Sequence, residues 1–350
     1  SGFQDEVYKM RQKIHDWKKE FKGNYNQNDF DKAVEDFTVK AEKLAKNVAT
    51  TTFGIVDKMV DYVSSFVDTN SFNIFGSFKV EDRSFEAAAS EGMDLYVEGA
   101  NGSMFVKRHS ENKIIIKSRV RSQLDNADSV LLFDAAGPAV ALKLNRQGNI
   151  SVSHEIYIPE LKFKSIKLET SNGRIYVEGS LSEVFEGITR NSHIELMGVD
   201  SEKVRISTKN ARIQVSHTIG REIDIDTSNS LIDIKHIKAE KIRAFTKNGR
   251  ILLENVQNIE GSNDMQVELS TANGGIKVNM NDMDNKGYKV KARTTNGGIN
   301  LLIPDMVYSN VSRQGAGVSF AEAESKGFES AADKVRITAD TVNGFIEVVK

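Results

Sequence analysis

The chain has 350 residues, 39% hydrophobic and 27% charged, an ordinary globular composition that sets one large domain or two smaller ones. Lys and Arg number 47 against 49 Asp and Glu, a net charge of −2, so the basic excess of a general nucleic-acid binder is missing. No cysteine means no disulfide scaffold, thiolate zinc site, iron–sulfur cluster or cysteine nucleophile, and three prolines against 25 glycines suit a densely hydrogen-bonded sheet that turns on Gly, Asn and Ser.

Residues 1–78 predict two or three amphipathic helices. Phe3, Val7, Met10, Ile14, Trp17 and Phe21 step by 3 and 4 and place one apolar stripe on a helix; the stripe is too short for a coiled coil and suits packing against another helix. Turn formers at 23–28 end it. A second stripe runs through Phe30, Val34, Phe37, Ala41, Leu44 and Val48, and a weak point at 50–54 allows one bent helix or two before the helical region closes at Gly76. No run of about 18 apolar residues is present, and no signal peptide is visible.

From Phe78 the hydrophobic period changes to two and stays there. The decisive feature is an internal repeat with the frame Thr-x-Asn-x-x-Ile. Its asparagines are Asn172, Asn191, Asn210, Asn229 and Asn248, each 19 residues after the last. The frame returns at Asn273, Asn296 and Asn343, after 25, 23 and 47 residues, which read as loop insertions and a degenerate coil. Alternating apolar pairs precede and follow each Asn, as in Val204/Ile206 and Ile213/Val215, so each repeat is two short strands meeting at an Asn corner.

A hairpin meander would need φ > 0 at both turn residues, yet the residue after Asn is Gly173, Ser192, Ala211, Ser230 or Gly249. A strict 19-residue step instead suits a mainly β chain coiled as a parallel β-solenoid, a β-helix whose turns stack about 4.7–4.8 Å apart with like residues in columns. Stacked Asn side chains would pass amide hydrogen bonds between coils and accept the left-handed backbone of a corner, and Thr two places earlier would do similar work with its hydroxyl. Stacked Ile and Val would fill the interior. The expected organisation is a helical region over 1–78 and a solenoid over 79–350, with regular coils at 161–303 and irregular caps at 79–160 and 304–350. A looser copy of the frame lies at Ala100-Asn101-Gly102.

The most informative polar pattern is basic. Two places after the Asn come Arg174, His193, Arg212 and Arg250; one place before it come Arg190, Lys209 and Lys247. On a solenoid these line both shoulders of the Asn ridge, a cationic stripe suited to anionic lipid headgroups, teichoic acids or an acidic partner surface. The alternative is a solvated corner whose charge discourages edge pairing.

Other chemistry is thinner. Asp224, Asp226 and Asp233 cluster on one coil and would be the carboxylates of a polysaccharide-active β-helix enzyme, but their alternation with Ile puts them on the solvent side of two strands. His217 and His236 are one repeat apart and should stack in a column as surface decoration; no histidine pair has metal-ligand spacing, so no metal, cofactor or catalytic residue is expected.

The runs Leu168-Glu-Thr-Ser-Asn-Gly-Arg-Ile-Tyr-Val-Glu-Gly179, Leu269-Ser-Thr-Ala-Asn-Gly-Gly-Ile-Lys-Val278 and Arg293-Thr-Thr-Asn-Gly-Gly-Ile-Asn-Leu301 resemble the bacterial putative-adhesin family known as DUF4097 over about residues 90–350. Its repeats are similar to T-x-N-G-x-I-x-V and often follow an Ile-Pro step, here Ile158-Pro159 and Ile303-Pro304. Helices ahead of such a domain resemble the order in LiaX- and YvlB-type envelope-stress proteins of Gram-positive bacteria. That resemblance implies a non-enzymatic role at the cell surface or envelope, binding daptomycin-like or cationic antimicrobial peptides and contacting the LiaFSR signalling system. A structural surface adhesin and a cytoplasmic location are the alternatives.

Overall fold

The computed structural model describes residues 79–123, 125–145, 149–280, 286–315 and 317–350; the helices expected over 1–78 lie outside the described residues. Contacts divide the described chain into two units, 79–201 and 202–350.

The repeat is simplest in the second unit. The strand Ile213–Asp226 pairs in parallel with Ile232–Phe245 over three runs, 213–216, 218–220 and 222–226, with His217 and Arg221 omitted from the pairing at the bends between them. Each coil is therefore three-sided, and the Asn segment makes the remaining corner. Register places like on like: Ile213, Ile232, Ile251, Ile276 and Ile346 form one column, each at most 1% exposed. β-Branched side chains suit this pleated interior, and full burial of each contributes about 1.5–3 kcal/mol.

Outward residues alternate in charge from coil to coil. Glu222 faces Lys241, Asp224 faces Arg243, and Arg243 faces Glu268 in register. Arg243 reaches Asp224 at 2.9 Å, while Arg221 at a bend reaches Glu202 at 3.1 Å and Glu240 at 2.7 Å. Such exposed pairs are worth about 0–1 kcal/mol each.

The sequence order of the coils is not their stacking order. In the second unit, Asp264–Ser270 pairs with Asp333–Asn343, which pairs in turn with Lys286–Asn296. Ile276–Asn279 pairs with Ile346–Val349, which pairs with Ile299–Leu302. The last coil of the chain, 333–349, thus lies between coils 264–279 and 286–302. This corrects the expectation that 304–350 is an irregular cap: the covering element is the hairpin of Met306–Gln314 and Gly317–Ser325, which pairs antiparallel onto Lys286–Asn296. The physical reason is that the chain leaves a one-coil slot open after Asn279 and fills it only after the hairpin is made.

The first unit uses the same device. Coil 94–109 is paired on one side with Ala139–Leu144 and Ile150–Pro159 and on the other with Phe163–Glu169 and Ile175–Ile188. Residues 79–160, expected as an irregular cap, therefore contain a proper coil. Its cover ends in antiparallel strands, Lys113–Ser122 on Ile150–Pro159 and Lys79–Ala88 on Lys113–Ser122.

Candidate functional site

The Asn ridge is a hydrogen-bonded ladder. In the first unit the Asn172 amide donates to Asn101 Oδ1 at 2.8 Å and the Asn191 amide to Asn172 Oδ1 at 2.5 Å. In the second unit Asn229 donates to Asn210, Asn248 to Asn229, Asn273 to Asn248 and Asn343 to Asn273, all at 2.7 Å, and Asn296 donates to Asn343 at 2.8 Å. The order 248, 273, 343, 296 repeats the stacking order of the coils.

Threonine completes the corner. Thr227 Oγ1 donates to the Ala211 carbonyl at 2.9 Å, Thr246 Oγ1 to that of Ser230 at 2.8 Å and Thr271 Oγ1 to that of Gly249 at 2.7 Å. Thr189 does the same to Gly173 at 2.7 Å in the first unit. One expectation changes: among the described ladder residues only Asn101 and Asn172 have positive φ, 48° and 50°.

Two hydrogen bonds pass through each interior Asn, so Asn229→Ala should cost about 1–2 kcal/mol. Urea unfolding of the variant measures this directly. Unchanged stability would mean that the exposed amides gain nothing over bonds to water.

The left-handed bend is elsewhere, in a column the sequence reading missed. Gly179, Gly198, His217, His236 and Asn255 all have positive φ, between 48° and 91°, and each lies seven residues after a ladder Asn. The legible signal was a Gly, Gly, His, His, Asn series at one offset, the last three including residue types that tolerate this backbone.

The bend also overturns the surface role expected for His217 and His236. Both are buried, 4% and 6% exposed, with ring centroids 4.9 Å apart, and His236 Nδ1 lies 2.8 Å from the Asn255 amide. Burial, with the neighbouring His236 second, pushes the His217 imidazole down to about 3. In the first unit His154 is in register with Met104 in a core column. Its Nδ1 meets Ser118 Oγ at 2.7 Å and its Nε2 meets the Glu98 carbonyl at 2.6 Å. Burial lowers it to about 4, and the bond to Glu98 opposes that.

The basic residues separate by depth. Arg190 is exposed, whereas Arg174 and His193 are half-buried; an Arg174 Nη1 lies 3.5 Å from the Tyr176 hydroxyl. In the second unit Lys209, Lys247 and Arg250 are exposed and Arg212 is half-buried. The carbonyls of Lys209 and Lys247 accept backbone N–H bonds from the next coil, from Asn229 and Asn273 at 2.9 Å, which fixes the backbone from which both side chains project. The stripe is not of one sign throughout. Asp233 is half-buried beside Arg212, Arg250 and Lys235; burial raises its carboxyl, and Lys235, Arg250, a bond from Gln214 and Arg212 pull the other way.

The carboxylates considered for hydrolysis are divided. Asp224 and Asp226 lie on the run before the Asn corner and Asp233 on the run after it. Asp224 is paired with Arg243. Burial raises Asp226, with Arg243 opposing and Asp224 reinforcing. Among the described residues no group of three or more His, Asp or Glu is placed to hold a metal ion.

The profile of the Toastrack DUF4097 family matches residues 80–348, which covers both units and every ladder Asn. The chain belongs to the Toastrack DUF4097 family. Among curated proteins none matches it. Two solved structures resemble this family member. One, a putative cell adhesion protein from Clostridium sporogenes ATCC 15579, shares 10% identity over 77% of this chain and 99% of that chain, with a TM-score of 0.28. The other, a putative adhesin from Parabacteroides distasonis ATCC 8503, shares 11% identity over 77% of this chain and 97% of that chain, with a TM-score of 0.43. Among the described residues of this Toastrack chain no helix is long and apolar enough to cross a membrane.

Proposed function

We propose that this chain is a non-catalytic protein of the envelope-stress response, and that its second unit presents the Asn ridge to an anionic envelope surface on which a membrane-associated signalling protein is also found. The observation that carries the reading is the set Lys209, Lys247 and Arg250. All are exposed at fixed offsets from a rigid ladder, and of the three only Arg250 has an acid described near it, the half-buried Asp233. Lys209 and Lys247 are two coils apart, roughly 9.6 Å at 4.8 Å per coil, a spacing that lets both meet adjacent headgroups. Each cation near an anionic surface contributes about 1 kcal/mol. A cationic peptide would need an exposed acidic counterpart, and the one acid described beside these cations, Asp233, is half-buried.

Flotation with phosphatidylglycerol vesicles at low salt tests the reading. The protein should float with them and not with phosphatidylcholine, and Lys247→Glu with Arg250→Glu should reduce binding about tenfold or more, a loss of about 1.4 kcal/mol or more. Binding unchanged by the double substitution removes the ridge from the account. Deleting the gene and following envelope-stress transcription with and without a membrane-active peptide then separates a regulator from a structural adhesin, whose loss would leave transcription unaltered.

A further inference from the structure

The strand Lys286–Asn296 turns three cations toward the covering hairpin, and the hairpin answers two of them. In register, Lys289 faces Glu324, Lys291 faces Glu322, and Arg293 faces Phe320. Lys289 lies 4.0 Å from Glu324. At the third position an aromatic ring stands where the row would place another carboxylate, and the Arg293 guanidinium carbon lies over that ring, 5.3 Å from its centroid. On its other side Arg293 is in register with Asp340, and among the described residues the two form no ion pair.

Arg293 and Phe320 line a shallow, open groove of about 440 Å³ with Thr295, Asn310, Ser312 and Ser319; Arg293, Thr295, Asn310 and Ser312 are exposed. No carboxylate is among the lining residues. Thr294, also at the wall, spends its hydroxyl proton on the Gly344 carbonyl at 2.8 Å, and Ser319 donates to the Ser312 carbonyl at 3.3 Å. A register shift in the hairpin between Ser312 and Arg313 falls at the rim, the kind of irregularity that re-aims side chains beside a binding site.

We propose that this groove binds an anionic saccharide, with Arg293 holding the carboxylate or phosphate and the Asn310, Ser312 and Thr295 side chains meeting sugar hydroxyls. Guanidinium presents a rigid, planar fork of N–H donors that matches such groups bidentately. Stacking on Phe320 fixes the plane of that fork while leaving its edge available. The open shape of the groove suits one or two sugar residues of a longer chain lying across the surface. This site adjoins the Asn296 end of the ridge through Thr294 and Thr295, uses neither Lys247 nor Arg250, and does not depend on the envelope reading.

The test is calorimetric titration of the full chain with three probes of matched length: oligogalacturonate, a glycosyl-phosphate oligomer and neutral maltooligosaccharide. One of the two anionic probes should bind at least tenfold more tightly than the neutral one, and which of them does so identifies a uronate or a phosphate source. Arg293→Gln should abolish that preference, Arg293→Lys should restore only part of it, and Lys247→Glu with Arg250→Glu should leave it intact. Thermal unfolding checks that each exposed-site variant is folded, and Phe320→Leu, which keeps an apolar side chain at that position, should weaken the anionic probe alone. Equal binding of neutral and anionic probes, no binding at all, or an anionic preference that survives Arg293→Gln overturns the proposal.

Discussion

Acidification from pH 7 to pH 4 is expected to remove about 6 kcal/mol of stability through two buried histidines, His154 and His217, whose folded values are held at about 4 and about 3. An imidazole in the unfolded chain titrates near its ordinary value of 6.5, so the unfolded chain takes up protons that the fold refuses. The contribution is whole above pH 6.5 and is lost as the pH falls from there toward the folded values. Asp226 and Asp233 act in the opposite sense, because burial raises them and protonation relieves that burial penalty. His217→Asn isolates one histidine without disturbing the bend, since Asn255 holds the same left-handed backbone in the same column. That variant should retain the roughly 3 kcal/mol that the parent loses at this site between pH 7 and pH 4. Urea midpoints at pH 7, 5 and 4 decide it: parallel pH profiles for the two proteins would exclude His217 as a contributor.

A methyl group added beside the Asn ladder should be equally costly. A Cβ on Gly173 would fall 1.7 Å from the Gly102 carbonyl oxygen, and one on Gly344 would fall 1.9 Å from that of Gly274. Neither contact can be relieved by turning a side chain, because each partner is the backbone of the adjacent coil. Gly173→Ala and Gly344→Ala should therefore each cost about 3 kcal/mol or more, at or beyond the usual range for overpacking. Gly187→Ala is the control: its Cβ would meet only Phe185 Cε1 at 3.7 Å, an ordinary contact, and it should be tolerated. Equal melting temperatures for Gly173→Ala and Gly187→Ala would refute the close approach. Ser192, Ala211 and Ser230 carry a Cβ at the same repeat position, so the crowding belongs to the glycine corners and not to the column as a whole.

The parts of this fold that were legible in sequence are those repeated at a constant interval. The 19-residue step gave the coil, the Ile columns and the partners of each Asn and Thr, because stacking in register converts periodicity into contact. Spacing records connectivity, however, and not stacking order. The intervals of 23 and 47 residues around Asn296 were read as insertions in a simple series, whereas coil 333–349 fills a slot left two segments earlier. Depth was hidden for another reason. Strict alternation carries His217 inward after Ile213 and Val215, and His236 inward after Ile232 and Ile234, but their polar type argued for the surface; the alternation slips only one residue later, at the equally buried Thr218 and Ile237. The groove at Arg293 was illegible because its walls come from a strand and a hairpin whose antiparallel register no repeat encodes.

The enclosed terminal coil bears on how the second unit comes into being. In an ordinary solenoid each turn rests on the one just made, and the array grows from one end by contacts some 19 residues apart. Here the Asn343 amide reaches Asn273 across 70 residues, and the Asn296 amide waits for Asn343 across 47. Coil 286–302 and its hairpin thus have no final neighbour until residues 333–349 are available, and long-range pairing of this kind closes late. A chain cut before residue 333 would be left with two unmatched strand edges facing one another across an empty slot, an arrangement open to pairing with other chains. Placement of coil 333–349 is therefore what joins coils 264–279 and 286–302 into one stack, and a turn added or removed there would reopen the middle of that stack.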